Sequence, residues 1–112
     1  MSEVKYSWLK MDENFFNQFG MTLMENLEDG HHCEIVYIKL LMHCLQNNGV
    51  IKRTDLNKPF VMELAEAIGE DVGIVDRTVN FLLKAKMMEP VKGKEYAYTF
   101  AAVKATIREA KK

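Results

Sequence analysis

The spacing of apolar residues changes several times along the chain, and each change predicts an element. Lys5-Tyr6-Ser7-Trp8-Leu9-Lys10 alternates polar and apolar side chains, which predicts a short strand with one covered face. Asp12, Glu13 and Asn14 supply N-cap and first-turn chemistry for a short helix carrying Phe15, Phe16 and Phe19, with Gly20 as its end. Residues 21–27 add another helical turn or two, stopped by Glu28-Asp29-Gly30. From His31 to Asn48 the period is three and four: Cys33, Tyr37, Leu40, Leu41, Cys44 and Leu45 recur on one side. Ile35, Val36, Ile38 and Met42 fill most of the other. A helix apolar nearly all round belongs in the middle of a core. Asn47-Asn48-Gly49 caps it, and Val50-Ile51-Lys52 resumes as a strand.

Beyond Pro59 the pattern becomes more specific. Val61–Ile68 predicts a two-turn helix with Leu64, Ala65 and Ile68 on one face, ended by Gly69. Asp71 is placed to cap the following helix, Val72–Lys86. At 100° per residue, Val72, Val75, Val79, Leu82, Leu83 and the stem of Lys86 share its buried side, leaving Gly73, Arg77, Asn80 and Lys84 as the outward stripe. Residues 87–91 and 95–100 pair as a hairpin around Lys92-Gly93-Lys94, and Ala101–Lys112 is a helix former with Val103, Ile107 and Ala110 as a thin apolar stripe. Helix, turn, helix and hairpin in this order predict a mainly α fold with a small β-hairpin wing, the winged helix-turn-helix. The expected division is a winged-helix domain over residues 1–100 and a helical tail or linker start over 101–112.

Composition and charge narrow the function. At 112 residues with 48% apolar and 28% charged side chains, the chain is sized and composed for one ordinary globular domain. Its net charge is −1, so a nucleic-acid surface has to be local. Residues 1–56 carry −3, residues 57–112 carry +2, and the span 77–94 alone carries +4. Arg and Asn reach base edges bidentately and Lys suits phosphates. The outward stripe therefore makes Arg77 and Asn80 candidate base readers and Lys84 a candidate phosphate contact. Lys92 and Lys94 at the wing tip join it, with Lys52, Arg53 and Lys58 alongside. The same residues also fit a solvated helix face and a turn chosen for solubility. Ile74 and Phe81 fit either core under the wing or an exposed contact strip. Tyr6, Trp8, Phe15 and Phe16 fit packing onto the 31–48 helix, or pairing of an exposed strand edge with a second subunit.

Other chemistries find little support. His31-His32-Cys33 and His43-Cys44 offer possible metal ligands, but adjacent helical residues point about 100° apart and the clusters lie about three turns from each other. Neither a metal nor a cofactor is expected. Gly-rich phosphate loops, nucleophile elbows and HExxH spacing are absent from the sequence, and Glu25, Glu28, Asp29 and Glu34 read as solvent charges around a turn, so no enzyme is expected. Two cysteines about 16 Å apart along one helix point to a reducing cytosol. The apolar runs fall short of the roughly 20 residues of a membrane span.

The run YSWLKMDENFF over residues 6–16, the MENLEDG turn and the helix-to-strand stretch IVYIKLLMHCLQNNGVI resemble the N-terminal domain of phage replisome organizer proteins. The stretch LAEAIGEDVGIVDRTVNFLLKAKMME over residues 64–89 resembles the helix-turn-helix of that family. The family is similar in fold to the N-terminal winged-helix domain of DnaD-type primosome proteins. The resemblance implies binding of double-stranded origin DNA in a bacterial host cytoplasm, and assembly with replication proteins such as a helicase or its loader. Such proteins usually continue into a C-terminal region, whereas this chain stops at Lys112, so helicase loading is not assigned to these residues. An oligomerisation scaffold of the primosome with weak DNA contact, and a winged-helix transcriptional regulator, are the alternatives.

Overall fold

A computed structural model of the chain describes residues 8–11, 15 and 18–111. Among the described residues five helices and three strands follow one another as α1 (Phe19–Glu25), α2 (Gly30–Gln46), β1 (Ile51–Lys52), α3 (Phe60–Ile68), α4 (Val72–Lys84), β2 (Met88–Pro90), β3 (Ala97–Phe100) and α5 (Ala101–Ala110). The antiparallel sheet has the order β1-β3-β2, with Ile51 opposite Tyr98 and Met88 opposite Phe100. This is the winged helix-turn-helix arrangement that the period changes predict.

The core explains the order. Val36, Leu40, Leu41, Cys44 and Leu45 of α2 are fully buried, together with Met21 and Met24 of α1, Val75 and Leu82 of α4, Phe100 of β3 and Val103 of α5. Helix α2 is more one-sided than its sequence implies: Ile35 is 52% exposed, and Ile38 and Met42 are half-buried. Both cysteines are buried and free, and burial pushes the Cys44 thiol up to about 12.

The helix-turn-helix forms where local chemistry requires it. Gly69 takes a left-handed φ of 69°, and the Glu70 N–H reaches back to the Ala65 carbonyl at 3.0 Å. Asp71 caps α4 by accepting the Ile74 N–H at 3.1 Å. At its far end α4 stops two residues early. Lys86 sits at φ 60°, and Lys86 and Met87 donate back to Leu83 and Leu82, a Schellman closure that puts the Lys86 stem in solvent and off the buried face. Val72 and Leu83 likewise lie outside the core, 42% and 36% exposed. Ile74 and Phe81 pack against the core.

Two N-terminal expectations fail for tertiary reasons. Gly20 does not end a helix; it lies inside α1, where a Cβ would meet the Met87 sulfur at 2.6 Å. Residues 8–10 form no strand. The Lys10 N–H instead donates to Thr106 Oγ1 at 3.0 Å, and the Lys10 ammonium lies 3.6 Å from Glu109, so α5 holds this segment. Residues 5–7 lie outside the described residues. Helix α5 buries Val103 and Thr106, and its Ile107 rests where Gly49 (φ 79°) leaves room. A Cβ on Gly49 would come within 2.5 Å of Ile107 Cδ1.

Candidate nucleic-acid interface

Helix α4 presents Gly73, Asn80 and Lys84 to solvent, as its periodicity predicts. Arg77 shares that stripe but is already engaged. Its Nη1 donates to Asp29 Oδ2 at 3.1 Å and to the Glu28 carbonyl at 3.4 Å, and its Nη2 lies 4.0 Å from the Glu28 carboxylate. The acceptors come from the α1–α2 turn, some fifty residues away. Their neighbour Glu34 is buried next to His31, and burial followed by the facing Glu25 raises its carboxyl above the usual range.

A second set of cations gathers at the wing. A groove of about 920 Å³ opens between the end of α2, β1, α3 and the wing, with His43, Lys52, Lys58 and Lys94 on its walls together with the carboxylates of Asp55, Glu63 and Glu66. Burial lowers His43, disfavouring its charged form. Lys58 is neutralised by Glu66 at 2.8 Å. Arg53 holds the loop before α3 together. Its guanidinium donates to the carbonyls of Lys58 (2.9 Å) and Leu56 (3.3 Å) and stacks 5.5 Å from the Tyr96 ring. Glu63 secures the same loop by accepting from the Thr54 and Asp55 amides. The exposed side chains of Lys52, Lys84, Lys86, Lys92 and Lys94 have no counter-ion among the described residues. The wing itself is held by Val91 N–H to Ala97 O at 2.9 Å and Lys94 N–H to Val91 O at 3.1 Å.

The sequence-derived site residues thus separate into three groups. Lys52 and Lys94 open on one groove with the ion-paired Lys58, and Lys92 is exposed beside Lys94 on the wing; Arg53 is half-buried; and Arg77, Asn80 and Lys84 lie on α4, with Arg77 closed by an acidic turn. The pairing of Arg77 with Glu28 and Asp29 has no local signature, since only the fold brings positions so distant in sequence together. Of the aromatic residues considered for self-association, Phe15 is a core residue, 5% exposed and stacked 6.2 Å from Tyr37, and is not available to a partner. Trp8 is 43% exposed. Tyr6 and Phe16 lie outside the described residues. Among the described residues no three His, Cys, Asp or Glu side chains gather as metal ligands, and no helix is long and apolar enough to cross a membrane.

Two carboxylates that position this surface make it acid-sensitive. Burial pushes Glu63 up, but the amides of Asp55 and Thr54 outweigh it and hold the carboxyl below its ordinary value. Glu70 is held low by Lys39 and His32, its bond to His32 Nε2 measuring 2.6 Å, and this staples α2 to the helix-turn-helix. A depressed carboxyl stabilises the fold above its unfolded value, and that contribution disappears as pH falls through the folded value. Thermal melting followed from neutral to about pH 3 should therefore show an acid-side loss that Glu63→Gln with Glu70→Gln flattens. Glu34 has the opposite sign, so Glu34→Gln should raise the melting temperature at neutral pH.

A family model described as the N-terminal phage replisome organiser matches residues 8–107. No curated protein and no solved structure matches the chain.

Proposed function

Because the chain belongs to the N-terminal phage replisome organiser family, a replication family, we propose that it is the duplex-DNA-binding and assembly module of a phage or prophage replication initiator. The wing and the neighbouring strand edge grip the phosphate backbone through Lys92, Lys94 and Lys52, and α4 adds Lys84 and Asn80. One observation carries this reading: four exposed lysines on α4, β1 and the wing, and Lys86 just beyond α4, lack counter-ions among the described residues, although the chain as a whole is slightly acidic. Cations left unpaired on such a surface favour an anionic partner. The role is binding rather than catalysis. The partners are origin duplex and replication proteins such as a helicase or its loader.

Fluorescence anisotropy with duplex DNA over a salt series tests the reading. If about four lysines each neutralise a phosphate, log affinity should fall against log salt with a slope near −3.6. Absence of binding at micromolar protein in low salt would overturn it. Assembly would then be the remaining role, with Trp8 and its neighbour Met11, each 43% exposed, as a contact surface to probe by sedimentation.

A further inference from the structure

The engagement of Arg77 is more than a surface ion pair. Asp29 occupies the N-cap position of α2, where an aspartate ordinarily accepts an N–H of the first helical turn. Here its backbone is left-handed at φ 58° and its side chain makes no cap bond. The carboxylate turns instead to Arg77, the Glu28 carbonyl is a second acceptor, and the Glu28 carboxylate adds a charge 4.0 Å from the guanidinium. A guanidinium fork suits such oxygen sets, including those of a phosphate. Arg77 lies three residues before Asn80 on the outward stripe, so a duplex approaching Asn80 also meets the Glu28-Asp29 turn.

We propose that the Glu28-Asp29 turn is a built-in competitor for DNA phosphate, holding Arg77 of the recognition helix closed until a phosphate displaces it. This rests on the DNA-binding reading above and sets how strongly α4 takes part in it. The pair is built to open: the side chains are 38% exposed at Arg77, 52% at Asp29 and 82% at Glu28. Ion pairs so open to water are weak, so displacing this one reduces DNA affinity by about fivefold at most, to which the repulsion of two carboxylates adds.

The test is a cycle of four proteins: wild type, Glu28→Gln/Asp29→Asn, Arg77→Ala, and the triple variant, each titrated with duplex DNA over a salt series. Asn tolerates the left-handed backbone at position 29, and circular dichroism melting checks that each variant folds. The Gln/Asn variant should bind about three- to tenfold tighter than wild type with a salt slope little changed, because Arg77 meets one phosphate in both complexes, whereas Arg77→Ala should flatten the slope by about 0.9. Adding Arg77→Ala should remove most of that gain. An equal gain in the Arg77→Ala background would reduce the turn to general repulsion and overturn the proposal, as would no gain in the Arg77 background. Binding by the unmasked variant alone would support the mask and overturn the wing-led reading. No binding by any of the four would overturn both.

Discussion

Replacing Phe100 by alanine is expected to cost about 3–5 kcal/mol of folding stability. The side chain is fully buried at the point where three layers meet. It ends β3 opposite Met88, it is the N-cap residue of α5, and its ring lies 6.3 Å from Tyr37 of α2. Tyr37 in turn stacks on Phe15. Removing the ring leaves a cavity bounded by a strand and two helices that cannot all move inward together. Against a total stability of about 5–15 kcal/mol, the loss is a third or more for most of that range. It corresponds to a drop in melting temperature of about 15 °C or more. Leu56, 64% exposed in the loop before α3, is the control, and its alanine variant should stay within about 0.5 kcal/mol of wild type. Chemical denaturation of the two variants side by side decides the matter. A Phe100→Ala protein as stable as the control would mean that α5 and the wing do not share the core with α2.

The second large effect is on binding. Changing Lys52, Lys92 and Lys94 together to alanine should flatten the salt slope by about 2.7, close to 0.9 for each phosphate contact removed. A rise from about 50 to about 200 mM salt would weaken the wild type roughly 150-fold and the variant only about fourfold. The fold should be unchanged, because all three side chains are exposed and none has a counter-ion among the described residues. Lys58→Ala gives a contrast within the same groove. Glu66 already neutralises that charge, so its removal should change the slope much less. Arg53→Ala should instead loosen the loop over residues 54–58, because its guanidinium holds two carbonyls there. If the triple variant keeps the wild-type slope, the wing is not the phosphate contact.

How much of this was legible in the sequence depends on where each signal resides. The α3–Gly69–Asp71–α4 corner is read almost to the residue, because a left-handed glycine and a side-chain cap act within three or four positions. The wing is read for the same reason: Gly93, at φ 81°, sits between two lysines where a hairpin has to turn. The outward stripe of α4 follows from its period. By contrast, the alternation over residues 5–10 spans too few residues to impose a strand at Trp8-Leu9-Lys10, and the hydrogen bond from Lys10 to Thr106 decides that segment instead. Gly20 resembles a stop signal and serves as a gap for Met87. Arg77 resembles a free base reader and is closed by a turn far away in the chain.

The sequence by itself determined the α3–α4 corner with its Gly69 turn and Asp71 cap, the outward stripe of α4 and the presence of a lysine-tipped wing. Those features follow from periodicity and from backbone preferences that act over a few residues. Tertiary structure decided that β1 joins β3 at the edge of the sheet, that α5 covers Gly49, and which cations remain free among the described residues. Lys58 and Arg77 carry the same unit charge as Lys52 and Lys94. What separates them is a carboxylate brought within about 3 Å by the fold, and Coulomb attraction depends on distance in space rather than along the chain.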